Sequence, residues 1–129
     1  MKNIASVLTL NKLVFDKIEF NRKGFKNNNE IEMGIEVQIS RGIEDISKVT
    51  LILKGNKKEE YDFIISLSGY FSFSLDVDIE NKQAQDLINK NAVAILMPYL
   101  RSEVSLLTAQ PETECVVLPP FNINKMLEE

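Results

Sequence analysis

Between residues 30 and 40 the chain alternates, with Ile31, Met33, Ile35, Val37 and Ile39 on one parity and Glu32, Glu36, Gln38 and Ser40 on the other. A period of two sends successive side chains to opposite faces, so this spacing predicts a strand with one buried face. Residues 61–77 repeat the pattern at greater length, with Tyr61, Phe63, Ile65, Leu67, Phe71, Phe73, Leu75 and Val77 on one parity. Gly69 within that run predicts a bulge or bend, because a straight strand of such length is unusual. Residues 49–53 form a short β-branched and aliphatic strand, and Gly55-Asn56-Lys57-Lys58 is turn chemistry that would join the two as an antiparallel hairpin. In residues 8–20, Leu13 and Phe15 share one parity and Ile18 and Phe20 the other, which a bulge near Asp16 would reconcile. Residues 21–29, with Gly24 and three consecutive asparagines, read as a loop.

The pattern changes after Asp78. Residues 81–107 lack glycine and place Ala84, Ile88, Ile95 and Tyr99 near one stripe, predicting a long helix. The stretch 92–100 is apolar on every side, so one buried face does not account for it and a second surface, such as another subunit, is expected. Pro98 inside it removes the hydrogen bond to the Ala94 carbonyl, a cost of ~3 kcal/mol in an ordinary helix interior, so the helix kinks or the loss is compensated. Pro111 and the Pro119-Pro120 pair then interrupt regular helix before a short apolar helix at 121–127. Four strands, a long helix and a short one make an α+β chain, and 129 residues with 44% hydrophobic content suit a single domain, 1–129.

Composition narrows the function classes. Fifteen Lys and Arg against 19 Asp and Glu give a net charge of −4, which argues against nucleic-acid partners. No apolar run approaches the ~20 residues of a membrane span, and the first ten residues lack a small-residue cleavage site, so no membrane insertion and no secretory signal are expected. The chain has no histidine, and Cys115 is its single cysteine. The commonest general base, most transition-metal sites and any internal disulfide are thereby removed, and Cys115 reads as a small buried hydrophobe. No phosphate-binding glycine loop, nucleophile elbow or Asp-rich calcium loop is present, so neither enzyme activity nor a cofactor is expected. Glu30, Glu32 and Glu36 on one strand face, and Glu112 and Glu114 around Thr113, read as solvated acids rather than a cation site. What remains is surplus apolar surface, which points to oligomerisation or a partner groove.

The segment Ile95-Leu96-Met97-Pro98-Tyr99-Leu100-Arg101 resembles the I-L-F-P-Y-A-R segment of the SecB family of export chaperones. Leu118-Pro119-Pro120-Phe121-Asn122-Ile123 resembles that family's L-x-P-V-N-F entry to its last helix, and Gly69-Tyr70-Phe71-Ser72 its G-I-F-S. Order and spacing agree along nearly the whole chain. The resemblance implies four antiparallel strands packed with one long and one short C-terminal helix, assembled as a homotetramer, a dimer of dimers, in the cytoplasm. It implies a chaperone without cofactor that holds unfolded polypeptide clients in apolar grooves and delivers them to the export motor ATPase. Carried over by position, the client groove falls on Ile31, Met33, Ile35, Phe121, Ile123, Met126 and Leu127, and the oligomer interface on Ile95, Leu96, Pro98, Tyr99 and Arg101. Ordinary core packing is the other reading of the groove residues. The family's motor-contacting acids align with Lys17, Asn21 and Ile64, none of them acidic. A chaperone dedicated to one client such as an antitoxin, or a structural subunit with no open groove, are the alternatives.

Overall fold

The computed structural model describes residues 8–41, 46–73 and 82–127. Strands β1 (Leu8–Arg22), β2 (Ile31–Arg41), β3 (Ile46–Lys57) and β4 (Tyr61–Phe73) are followed by helices α1 (Lys82–Thr108) and α2 (Ile123–Met126). The strands form one antiparallel sheet in the order β1-β4-β3-β2, which leaves β1 and β2 at its edges.

Helix α1 lies across one face of the sheet. Val49, Leu51 and Leu53 of β3 and Tyr61, Phe63, Ile65, Leu67 and Phe71 of β4 are fully buried beneath it, opposite Ile88, Ala92, Val93, Leu96, Met97, Leu100 and Val104. The buried stripe therefore runs through Ile88 and Leu96. The expected stripe shared Ile88 with it but also included Ile95, which is half-buried, and Tyr99, which faces outward. Pro98 is exposed on that outer side, as is Ala94, so water can meet the carbonyl that proline leaves without a donor. The helix continues through Pro98 to Thr108.

The parity change in β1 is a bulge. The pairing with β4 slips between Phe15 and Lys17, and again between Leu10 and Lys12. With these slips Leu10, Leu13, Phe15, Ile18 and Phe20 oppose Phe71, Gly69, Leu67, Ile65 and Phe63, all on the helix-facing parity of β4. Two glycine expectations are corrected. Register is continuous through Gly69 against both neighbouring strands, so no bulge sits there. A Cβ on Gly69 would come within 2.6 Å of Leu96 Cδ2 and 2.9 Å of Phe71 Cε2, so this glycine lets the helix approach the sheet. Gly55 likewise is no turn residue: it lies inside β3 opposite Phe63, whose ring a Cβ would overlap. The turn comes later, at Lys58, Glu59 and Glu60, with Glu59 at φ 65° and the Glu60 N–H donating to the Lys57 carbonyl (3.0 Å). Residues 74–77 of the expected long strand lie outside the described residues.

Candidate functional site

The period-two pattern of β2 places Ile31, Met33, Ile35, Val37 and Ile39 on the side of the sheet that α1 covers, but at its rim. All but Ile39 are half-buried, and Ile39 is exposed. After α1 the chain crosses back through Pro119 and Pro120 into α2, which the Asn122 side chain caps by accepting from the Lys125 N–H (3.2 Å). Helix α2 packs beside β2 and α1, with Phe121, Ile123, Met126 and Leu127 half-buried against the core. Of the expected 121–127 helix, only Ile123–Met126 is helical.

Two open grooves follow. One, of about 400 Å³, is lined by Ile35, Glu36, Val37, Lys125 and Met126. The other, of about 550 Å³, is of mixed character, with Ile39, Leu87 and Leu127 beside Asp86, Asn89, Lys90 and Asn124. Ile35 is thus brought to Met126 across one groove, while Leu127 meets Ile39, a residue the resemblance did not assign. Met33 lines a shallower recess with Gly34, Lys54 and Gly55. Val37 and Ile39 share the alternation of Ile31, Met33 and Ile35, and that alternation was the signal that could have included them. Half-buried aliphatic side chains rimming an open groove offer non-directional contact that many sequences satisfy.

The residues expected at a subunit interface divide between two sides of α1. Leu96 is fully buried and spends its side chain on Gly69 and the sheet, so it is a core residue of the protomer. Ile95 and Arg101 are half-buried, whereas Pro98 and Tyr99 are exposed. Tyr99 (45% exposed) and Leu106 (70%) are further uncovered apolar side chains on the helix, and Leu87 (47%) is exposed at the second groove.

A polar cluster at the turn end of the sheet was not foreseen. Lys57 is fully buried, and its ammonium donates to Glu60 Oε1 (2.6 Å), Glu114 Oε2 (2.5 Å) and the Asn27 carbonyl (2.7 Å). The buried Glu60 carboxylate also accepts from the backbone N–H groups of Asn27 and Glu114, both at 2.8 Å. Burial pushes the Lys57 ammonium down, but its bonds to Glu114 and Glu60 outweigh that and hold it above its ordinary range. Burial pushes Glu60 up, and hydrogen bonds from Lys57 and the two backbone amides bring it below its ordinary range. Tyr61, beside them, donates to the Glu114 carbonyl (3.0 Å), and burial raises its hydroxyl to about 12. Arg22 completes the clasp by donating to the Gly24, Pro111 and Glu112 carbonyls and the Thr113 hydroxyl. Every member has a partner, and the cluster fastens the loops that meet there. Glu114, expected as a solvent acid, is half-exposed yet ion-paired.

Cys115 corrects another expectation: it is exposed, not buried. On the sheet face away from α1, Lys17 lies 3.3 Å from Glu19, and the Asn21 amide donates to Asp62 (2.9 Å) and Glu19 (3.2 Å). Ile64 stands opposite Glu19. Two carboxylates therefore flank the positions where the resemblance sought acids, and the Asn21 amide followed by Lys17 lowers the Glu19 carboxyl. Among the described residues no group of three or more His, Cys, Asp or Glu could hold a metal ion, and no helix is long and apolar enough to cross a membrane.

No family model matches the sequence. An uncharacterized protein of Methanocaldococcus jannaschii is 27% identical over 104 residues, a match spanning 75% of this chain and 65% of that protein. This chain thus covers less than two thirds of that relative's length. Among solved structures, a SecB-like chaperone of Mycobacterium tuberculosis, in complex with a peptide from the HigA1 antitoxin, superposes with a TM-score of 0.74. The two share 12% sequence identity, and the match covers 92% of this chain and 94% of that one. The four-stranded antiparallel sheet backed by a long and a short helix is therefore the SecB-like fold.

Proposed function

Starting from that fold, we propose that the chain is a holding chaperone that binds unfolded or non-native polypeptides in the groove between β2 and α2. The observation that supports this reading is the half-buried apolar side chains Ile35, Val37, Met126 and Leu127 along open grooves beside a sheet edge, with Ile31, Met33, Phe121 and Ile123 half-buried nearby against the core. The proposed activity is binding alone, without chemistry or cofactor. Methionines at 33 and 126 suit clients of varied shape, because an unbranched thioether fills irregular gaps. Affinity then grows from several weak contacts made at once by one long client.

The exposed apolar side chains of α1 support assembly into a homotetramer, a dimer of dimers, through Ile95, Pro98, Tyr99 and Arg101, with Leu106 added. Export is the role we assign to the holding activity, in the cytoplasm and upstream of a motor ATPase. A second reading, a chaperone dedicated to one client, is favoured by the antitoxin peptide bound to the mycobacterial protein. The test is suppression of aggregation of a diluted, unfolded model protein, with oligomer mass recorded by light scattering on the same sample. Suppression at a stoichiometry near one tetramer per client supports general holding. A clean oligomer with no suppression overturns it in favour of the dedicated client or a purely structural subunit.

A further inference from the structure

Two loops meet at the polar clasp, and each leads into one wall of the groove. Residues 23–30 run from the end of β1 into β2, and residues 109–122 run from the end of α1 into α2. Three side chains each hold both loops at once. Arg22 donates to the Gly24 carbonyl (3.0 Å) in the first loop, and to the Pro111 (3.2 Å) and Glu112 (2.8 Å) carbonyls and the Thr113 hydroxyl in the second. Lys57 donates to the Asn27 carbonyl (2.7 Å) in the first and to Glu114 Oε2 (2.5 Å) in the second. Glu60 divides its two oxygens in the same way, Oε1 accepting from the Asn27 N–H and Oε2 from the Glu114 N–H, both at 2.8 Å.

The stretches from the clasp to the groove are short or stiff. Asn27 precedes the first residue of β2, Ile31, by one short run of loop. Between Glu114 and α2, Val116 and Leu118 are buried against the core, and Pro119 and Pro120 each fix φ at about −65°. Among the described residues, no hydrogen bond beyond Val116 ties the crossing segment or α2 to another element. Helix α2 therefore rests on apolar contact and takes its place from the clasp upstream. We infer that Arg22, Lys57 and Glu60 are positioning residues for the groove: by joining the two loops they set the spacing between β2 and α2, and with it the bulk of client side chain admitted beside Ile35, Val37 and Met126. This rests on the holding-chaperone reading and adds what holds the groove at one width before a client arrives. A wall already in place leaves less to be ordered on binding, which favours affinity.

The test uses the full-length protein with Arg22→Ala and Glu60→Gln, singly and together. Glutamine keeps the shape of Glu60 but presents one acceptor oxygen, so it can serve only one of the two loops. Arg22 is exposed and Lys57 keeps Glu114 throughout, and urea unfolding checks that each variant is folded. Ile65→Val, a buried change in β4 outside both loops, is the control for lost stability. Spin labels at Gln38→Cys on β2 and Asn124→Cys on α2, with Cys115→Ser, report the distance between the walls. Binding is read by fluorescence anisotropy with two probe peptides, one alternating leucine with lysine and the other tryptophan with lysine. The expected result is one narrow distance in the parent protein and in Ile65→Val, which broadens or lengthens stepwise through the two single variants and the double variant. The leucine peptide should bind the double variant at least 10-fold more weakly, and the tryptophan peptide should lose less. An unchanged distance, or a changed distance with both affinities unchanged, overturns the positioning role and leaves the holding reading intact. An equal loss of affinity in Ile65→Val also overturns it, because lost stability then accounts for the effect. A parent protein that binds neither peptide and fails to suppress aggregation removes both.

Discussion

Replacing Lys57 by methionine keeps the aliphatic stem and deletes the ammonium, leaving Glu60 buried without its cation. Breaking a buried ion pair from one side costs ~3 to 5 kcal/mol. Here the lower end applies, because Glu60 keeps two backbone N–H donors and the half-exposed Glu114 lets water approach the site. An unfolding entropy of ~2.1 cal/mol/K per residue over this length makes 1 kcal/mol worth about 4 °C, so a ~3 kcal/mol loss lowers Tm by about 11 °C. The assay is urea and thermal unfolding at one fixed protein concentration, since the proposed assembly would make stability concentration-dependent. Adding Glu60→Gln to Lys57→Met should recover part of the loss, because the buried charge then disappears with its partner. A Tm drop below about 4 °C for Lys57→Met, with no recovery in the double variant, would refute the account of a dry, mutually dependent pair.

The same cluster sets a pH window. Glu60 lies below its ordinary 4.5, so its contribution is present above that value and is lost as pH falls through the folded value; Lys57 and Tyr61 lie above 10.5 and 10.0, so theirs hold below pH 10 and fade above it. A urea midpoint that is flat from pH 5 to 10 and falls on both sides is expected, and a decline starting near pH 7 would contradict it. Gly69→Ala drives a methyl toward Leu96, Phe71 and Leu10 and should cost about 1 to 3 kcal/mol in urea unfolding. Tyr99→Lys with Leu106→Lys should lower the oligomer mass seen by light scattering without unfolding the protomer, as both side chains are exposed. Ile35→Glu with Met126→Ser should weaken suppression of aggregation at least 10-fold while leaving Tm within about 4 °C, since both side chains are only half-buried.

Much of the fold is written in local periodicity. The alternation from Ile31 to Ile39 and the parity break between Phe15 and Ile18 translate directly into β2 and the bulge in β1, because both are properties of a single strand. Gly55 and Gly69 misled because their reason lies in a neighbouring element, the ring of Phe63 and the side chain of Leu96. Tyr99 sits in an apolar run in which sequence cannot tell the sheet side of a helix from its outer side. Leu96 was carried over to an interface by the resemblance, whereas its side chain is fully buried within this chain. Lys57, Glu60 and Glu114 look like surface charges along the chain, and only the meeting of three loops buries two of them. Cys115 shows the converse: residue type favours burial, yet the crossing segment that buries Val116 turns its neighbour outward.

The clasp joins residues far apart in the order of synthesis. The sheet is complete once Phe73 is made, but α1, which covers its apolar face, ends at Thr108, and Glu114 is added later still. At ~5 to 20 residues per second, a nascent chain spends a few seconds with Phe63, Leu67 and Phe71 bare and with Lys57 and Arg22 lacking partners from the later segment. During its own birth, a protein proposed to shelter others passes through the condition it would relieve.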